Sequence, residues 1–320
     1  MRRLLALVLA CLLLTLAACG GGDTTETEKK SDVDMGDTIE GLSVSGTFAE
    51  QPKVKVSSAV KVDKPTTQVI SAGDGNPVLA NKKAMFNIYL AQGDGKKLFS
   101  SNDQGTPMQV EMQDDKFFPV IIKALVDKPQ GSRVAVAATV KDVWGKAGVP
   151  QLKLKTTDTV LFVLDVLSVE PTEVVKKPSG TAVDAPANAP VVQESGGKVT
   201  GLDFSKAPKK APAKLQVIPL VEGTGPAAEK GRLVTFNYYG AVWGSKKPFD
   251  SSFARGAPEP FGVGVNGLIK AWDNVIPGLK RGSRVLIIAP ASEAYGARAQ
   301  QGIPKNSTLA FVVDILGVDS

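Results

Sequence analysis

The sequence predicts an α+β protein of two domains, each built mostly from antiparallel strands. Three observations predict it: a length that suits two cores, an internal repeat spaced by about 150 residues, and strand-like segments beside one short helical pattern. At 320 residues, with 43% hydrophobic and 22% charged, the chain is too long for one small core. The balance of 38 Lys+Arg against 32 Asp+Glu leaves +6, and the basic residues are scattered. With no basic stripe interleaved with aromatics, nucleic-acid binding is not expected.

From the start of the chain, Met1-Arg2-Arg3 followed by the apolar run Leu4 to Leu16 has the charged and hydrophobic regions of a secretory signal. The run is short for a membrane span. Leu16-Ala17-Ala18-Cys19 resembles a bacterial lipobox, which implies diacylation of Cys19 after removal of residues 1–18. Residues 19–38 are polar and Gly-rich, too poor in apolar surface to order themselves, and read as a tether. The expected location is therefore the extracytoplasmic face of the cell membrane, held by the Cys19 lipid.

The repeat divides what remains. Met85-Phe86-Asn87-Ile88-Tyr89 matches Thr235-Phe236-Asn237-Tyr238-Tyr239 at an offset of 150, and Lys96-Lys97-Leu98-Phe99 matches Lys246-Lys247-Pro248-Phe249 at the same offset. Gly131-Ser132-Arg133-Val134 matches Gly282-Ser283-Arg284-Val285 at 151, and Thr159 to Asp165 matches Thr308 to Asp314 at 149. Four matches in order make a tandem duplication. The copies span residues 39–170 and 198–320, with the Pro- and Ala-rich stretch 171–197 between them as a linker whose X-Pro pairs disfavour helix.

Within the second copy, Arg232 to Trp243, Arg284 to Ala289 and Leu309 to Val318 are rich in β-branched and aromatic residues. Their partial alternation suits a half-buried antiparallel sheet. Leu268 to Ile276 is the helical pattern, with Leu268, Trp272 and Val275 at i, i+4 and i+7 forming one apolar face.

Several chemistries are excluded. The chain has no histidine, and its two cysteines, Cys11 and Cys19, fall in the first nineteen residues. A mature protein of this sequence has no disulfide, no Cys–His pair and no Ser–His–Asp triad. No metal and no cofactor are expected. Gly262 to Gly267 fits G-x-G-x-x-G but lacks a surrounding βαβ unit, and Asn306-Ser307-Thr308 is a glycosylation acceptor of little weight in an exported lipoprotein.

A further set of markers runs through about ninety residues of the second copy. They are Val234 to Gly240, Phe249-Asp250-Ser251-Ser252, Ile269 to Asp273, Pro277 to Gly282, Ala294-Tyr295-Gly296, Ile303-Pro304 and Thr308 to Leu316. In this order they resemble the FKBP family of peptidyl-prolyl cis/trans isomerases. The resemblance implies two FKBP-like domains, each a bent antiparallel sheet wrapped around a short helix. It also implies an isomerase that assists the folding of exported proteins.

Position by position, the resemblance implies Asp250, Trp272 and Tyr295 as the catalytic set, with Trp272 the pocket floor, Tyr295 offering its hydroxyl to a bound carbonyl and Asp250 at the rim. Tyr238, Phe249, Phe261, Leu268, Ile269, Ile303 and Phe311 would line the pocket. The partners implied are proline-containing polypeptides and macrolides of the FK506 and rapamycin type. The chain departs from the family at four places. Asn237 stands where many members have His, Gly267 replaces a larger polar residue, Lys305 replaces a second proline, and Ala254 to Glu259 is slightly longer.

In the first copy Ile88 aligns with Tyr238, Ser100 with Asp250, Ile121 with Trp272 and Trp144 with Tyr295, while Phe99 and Phe162 keep aromatic type. The pocket's polar groups are missing there, so this copy is expected to be a degenerate shell with little or no activity. The alternative for the whole chain is a non-catalytic binding or chaperone-like lipoprotein on the same fold.

Overall fold

Side chains in a strand point alternately to opposite faces, so a strand buried throughout must be covered on both sides. The computed structural model, which describes residues 35–319, shows this for the central strands of each domain. Cys11, Cys19 and the proposed signal lie outside the described residues. The chain divides into two compact units, one drawn mainly from residues up to Val166 and the other mainly from Leu167 onward.

The first unit begins with a hairpin, β1 (Leu42–Ser45) and β2 (Lys53–Val56). It continues through β3 (Thr66–Ser71), β4 (Lys83–Gln92), β5 (Lys97–Ser100), β6 (Met108–Glu111), helix α1 (Pro119–Leu125), β7 (Arg133–Thr139), helix α2 (Val140–Trp144) and β8 (Thr159–Val169). The sheet order is β3-β7-β8-β4-β5, with β6 also on β4.

The second unit has β9 (Gly180–Ala182), then the hairpin β10 (Val191–Ser195) and β11 (Lys198–Asp203), then β12 (Gln216–Gly223). Next come β13 (Leu233–Val242), β14 (Pro248–Ser251), α3 (Ser252–Arg255), β15 (Glu259–Gly262), α4 (Lys270–Val275), β16 (Arg284–Ala289) and β17 (Leu309–Val318). Its sheet order is β14-β13-β17-β16-β12-β9, with β15 on β13. Apart from β9, this is the first unit's order strand for strand. The duplication inferred from sequence therefore holds at the level of topology and includes the hairpin that precedes each sheet.

Two cores explain the burial of β16 and β17. Val285, Ile287, Phe311 and Val313 face a cluster that contains Trp272 of α4, whereas Leu286, Ile288, Ala310 and Val312 face one that contains Val199 and Leu202 of the hairpin. The sheet is thus covered on both faces, not the half-buried sheet expected from partial alternation. The first unit repeats the pattern, with Ala135, Ala137, Leu161 and Val163 packed against Leu42, Val44, Val54 and Val56.

A buried arginine ties hairpin to sheet in each unit. Arg133 holds Asp165 at 2.6 Å and 2.7 Å and donates to the carbonyls of Gly46 and Thr47 in the β1–β2 turn. Arg284 holds Asp314 at 2.5 Å and 2.7 Å and also bonds Glu194 of β10. Fork-to-carboxylate geometry of this kind is among the stronger polar contacts. Burial nevertheless pushes the Asp314 carboxyl above its usual range, against the pull of Arg284.

The stretch 171–197 is more than a linker. Gly180 to Ala182 pair with Val221 to Gly223 as the outermost strand of the second sheet, and Ala189 is buried in the hairpin-side core. β10 falls wholly inside the same stretch. Its X-Pro pairs do exclude helix, but extended backbone is also what an added strand requires.

Candidate functional site

The site starts from β13, whose side chains alternate between the two cores. Phe236 and Tyr238 fall on the α4 side and Tyr239 on the other. Ser252 fixes Tyr238 in place. Its Oγ accepts from the Tyr238 N–H at 2.8 Å and donates to Asn237 Oδ1 at 2.9 Å. The same arrangement recurs in the first unit, where Ser101 Oγ accepts from the Ile88 N–H and donates to Asn87 Oδ1. Asn237, one of the departures noted in sequence, is therefore a scaffold acceptor common to both copies.

Helix α4 carries the floor. Asp273, in its first turn, accepts from the N–H groups of Gly264 and Leu268 at 2.7 and 3.3 Å, which draws the loop from β15 onto the helix start. Ile269 is the N-cap, where backbone N–H groups lack intrahelical acceptors. Trp272 is 6% exposed and meets Phe236, Tyr238 and Phe311 edge-on at ring-centroid distances of 5.2, 5.2 and 5.0 Å. Edge-to-face contacts of this kind fix ring orientation as well as burying area. The Trp272 indole N–H is buried without a hydrogen-bond partner among the described residues.

These residues enclose a cavity of about 450 Å³. Of the ten residues expected at the site, nine line it: Tyr238, Phe249, Asp250, Phe261, Leu268, Ile269, Trp272, Tyr295 and Phe311. Ile303 does not. Its backbone exchanges two hydrogen bonds with Gln300 at 2.9 and 3.0 Å, a tight turn that puts Gln300 on the cavity and Ile303 in the core beside Trp272 and Phe311. Lys270, Ala294, Arg298 and Gln300 also line the cavity and were not expected. The decoy Gly262 to Gly267 is the connection from β15 to α4, within an antiparallel sheet.

The wall between Phe249 and Phe311 depends on a glycine. Gly240 lies where an added Cβ would come within 2.8 Å of the Phe249 ring and 3.0 Å of Phe311. Its bare backbone lets those rings meet edge-on at 5.7 Å.

The polar rim is a closed network. The Tyr238 hydroxyl donates to Asp250 Oδ2 at 2.5 Å and accepts from Arg255 Nη2 at 2.6 Å. Asp250 Oδ1 accepts from the Ser251 N–H at 2.8 Å and from Arg255 Nη1. Arg255 Nε also donates to Glu259 at 2.6 Å, and its guanidinium lies 5.5 Å over the Tyr238 ring. Burial, and then the bond to Asp250, hold the Tyr238 hydroxyl well above the usual tyrosine range. Arg255 went unnoticed in sequence, although it sits in the slightly longer segment already singled out. That segment starts in the last two residues of α3, a helix capped by the Ser251 side chain and closed by Gly256 at φ +88°. Tyr295, 37% exposed, makes no hydrogen bond through its hydroxyl among the described residues, and burial and the charge of Asp250 push its pKa upward.

At the corresponding positions of the first unit, one alignment needs correction. The sheet register sets Gly240 opposite Asp250 but Leu90 opposite Phe99, because the β4–β5 turn is one residue shorter than the β13–β14 turn. Phe99 therefore takes the place of Asp250, and Ser100 that of Ser251. The helix starts align Phe118 with Ile269 and Ile121 with Trp272. Rings then run in contact from Phe86 through Phe117, Phe118 and Trp144 to Phe162, with centroids 5.1 to 6.4 Å apart. Aromatic bulk occupies the positions that line the cavity in the second unit.

The cavity thus has an aromatic floor and walls, with two tyrosines, one carboxylate and the polar side chains of Lys270, Arg298 and Gln300 in its lining. Residues 225–316 match the family profile described as FKBP-type peptidyl-prolyl cis-trans isomerase. The chain is 47% identical over 111 residues to FK506-binding protein 1 of Debaryomyces hansenii, covering 34% of this chain and 98% of that one. It is 38% identical over 109 residues to the FK506-binding protein of Streptomyces anulatus, covering 33% and 88%. Among solved structures it is similar to the crystal structure of AtFKBP13, with 34% identity, coverage of 34% and 95%, and a TM-score of 0.31. The chain belongs to the FKBP-type peptidyl-prolyl cis-trans isomerase family.

Proposed function

We propose that the second unit rotates X–Pro bonds of exported polypeptides inside this cavity, and that the first unit is a non-catalytic companion. The observation that carries the reading is the apolar floor and walls around Trp272 with the Tyr295 hydroxyl left available. X–Pro rotation is slow because resonance keeps the bond planar, with a barrier of ~18–20 kcal/mol. Proton transfer is not required to lower it. An apolar cavity strips water from the imide carbonyl, which weakens the resonance form that holds the bond flat. A donor placed for the twisted geometry then favours the transition state over either ground state. Tyr295 and the Ile269 N–H are the donors this chain offers. Asp250, held by Tyr238, Arg255 and Ser251, fixes the rim and the Tyr238 ring. The same cavity suits macrolides of the FK506 type.

The first unit lacks a counterpart of the Tyr238–Asp250 pair and carries aromatic side chains where the second has a cavity. This favours a spacing or binding role for it. We further propose that the protein is tethered to the outer face of the cell membrane by diacylated Cys19, as the signal and lipobox-like segment imply. Two acyl chains anchor stably where one does not.

A proline-peptide isomerisation assay tests the reading. Trp272→Ala in the full chain should remove nearly all activity and destabilise the unit by roughly 3–5 kcal/mol, as large-to-small core changes do. Tyr295→Phe separates chemistry from folding, since it keeps the ring and removes only the hydroxyl. Parent-like activity in both variants would overturn the assignment. For the anchor, Cys19→Ser should move the protein from the membrane to the soluble fraction, and persistence in the membrane would refute it.

A further inference from the structure

Two cations at the cavity mouth have no partner among the described residues. Lys270 opens α4 and Arg298 follows Tyr295 in the loop before β17. Both line the cavity and both are exposed. Neither side chain makes an ion pair or hydrogen bond among the described residues. The only carboxylate in the lining, Asp250, is already held by Arg255, Tyr238 and Ser251, and Glu259 is held by Arg255 as well. Glu293, in the turn before Tyr295, does not line the cavity. The mouth therefore carries two cations without a direct partner beside an Arg255–Asp250–Glu259 cluster of net charge −1 whose lining carboxylate is already bonded, which leaves a net positive charge.

We infer that Lys270 and Arg298 are specificity-determining residues that favour prolines flanked by an acidic residue. The inference rests on the isomerase reading and narrows its substrate class. A proline ring seated on the Trp272 floor leaves its neighbouring residues at the mouth, within reach of two long, flexible cationic side chains. A glutamate or aspartate there meets opposite charge from both, whereas a lysine meets like charge. Each exposed pair is weak, so the preference expected from two is about three- to tenfold. It is also screened by salt, whose Debye length is about 10 Å at 0.1 M and 3 Å at 1 M.

The test compares peptides that differ by one isosteric step, Ala-Glu-Pro-Phe against Ala-Gln-Pro-Phe and Ala-Leu-Pro-Glu against Ala-Leu-Pro-Gln, on the full chain. At ~0.02 M salt the acidic peptide of at least one pair should show kcat/KM about three- to tenfold higher, and the ratio should approach one at ~1 M salt. The double variant Lys270→Gln, Arg298→Gln should bring the ratio to one at low salt, while Lys270→Arg, Arg298→Lys should retain it. A ratio near one in both pairs at low salt overturns the inference, as does a ratio that survives in the Gln variant. If that variant does not fold, the salt series on the parent chain decides alone. Competition binding of the same peptides reads the ratio without turnover. Acidic preference in binding with no isomerisation would therefore support this inference while refuting the proposed activity, and isomerisation without acidic preference would do the reverse.

Discussion

The Tyr238 hydroxyl lies 2.5 Å from Asp250 Oδ2, and both groups are bound in turn by the one guanidinium of Arg255. The three side chains come from β13, β14 and α3, so the contact joins the sheet to its own edge and to the short helix that follows. Tyr238 also meets the Trp272 ring edge-on. Its hydroxyl is thereby a point where rim electrostatics and floor geometry are set together.

Tyr238→Phe keeps the ring against Trp272 and removes two hydrogen bonds at once. The Asp250 and Arg255 ends lie toward solvent and can recruit water, so the expected loss of stability is about 0.5–1.5 kcal/mol. Turnover of a proline peptide should fall further than stability alone explains, because Asp250 loses a fixed partner. Urea unfolding beside the isomerisation assay separates the two, and unchanged turnover would show that the network is structural only.

High pH should weaken the fold by a calculable route. Burial raises the pKa of Tyr89, Tyr238, Tyr239 and Tyr295, with Asp250 adding to the shift at Tyr238 and Tyr295. Folded chains thus keep phenolic protons that unfolded chains release near pH 10. The contribution is fully present below about pH 10 and is lost as pH rises toward the folded values. Denaturant midpoints measured from pH 8 to 11 should be level at first and then decline. Tyr238→Phe should show a shallower decline than the parent.

Gly240→Ala is a steric probe of the cavity wall that touches no polar group. The added Cβ would meet the Phe249 ring closer than real contacts allow and the Phe311 ring at a tight 3.0 Å, so the Phe249 ring must rotate or retreat. Overpacking of this kind typically costs about 1–3 kcal/mol. Since both rings line the cavity, affinity for a proline peptide should fall while the first unit's unfolding is unaffected. A variant that binds like the parent would mean that the wall is soft.

The buried Arg284–Asp314 pair offers a test of what holds hairpin to sheet. Asp314→Asn leaves a buried guanidinium with its charge uncompensated on that side, and a loss of about 3–5 kcal/mol is expected. Replacing both residues with apolar ones of similar volume should recover much of it, since the pair's attraction is largely offset by the desolvation of both charges. Thermal unfolding of the single and double variants checks both statements.

How much of this was legible in sequence depended on what kind of signal each feature leaves. Strands β16 and β17 and the helix around Trp272 were found within a residue or two, because their apolar periodicity is dense. Seven of the nine expected positions that line the cavity lie in the ordered markers, and Phe261 and Leu268 came from the family resemblance alone. Ile303 was misplaced because a tight turn at Gln300 decides which of two neighbouring side chains faces the cavity, and turn geometry is weakly encoded. Phe99 was aligned one residue out because matching Phe to Phe looks better than the true register, which a shorter turn shifts. Arg255 was missed since a lone arginine in a loop carries no periodicity. β9 and β10 were hidden by the Pro and Ala content of their segment, a composition that extended linkers and added strands share.

The strand formed by Gly180 to Ala182 has a consequence for handling the protein in pieces. It is the outermost member of its sheet and masks the open side of β12 at Val221 to Gly223. A fragment begun at residue 198, where the sequence repeat starts, would leave those backbone groups unpaired and lose β10 as well. Bare sheet edges recruit strands from other chains. A fragment begun near Pro171 keeps the edge sealed, so it should stay monomeric at concentrations where the shorter one self-associates.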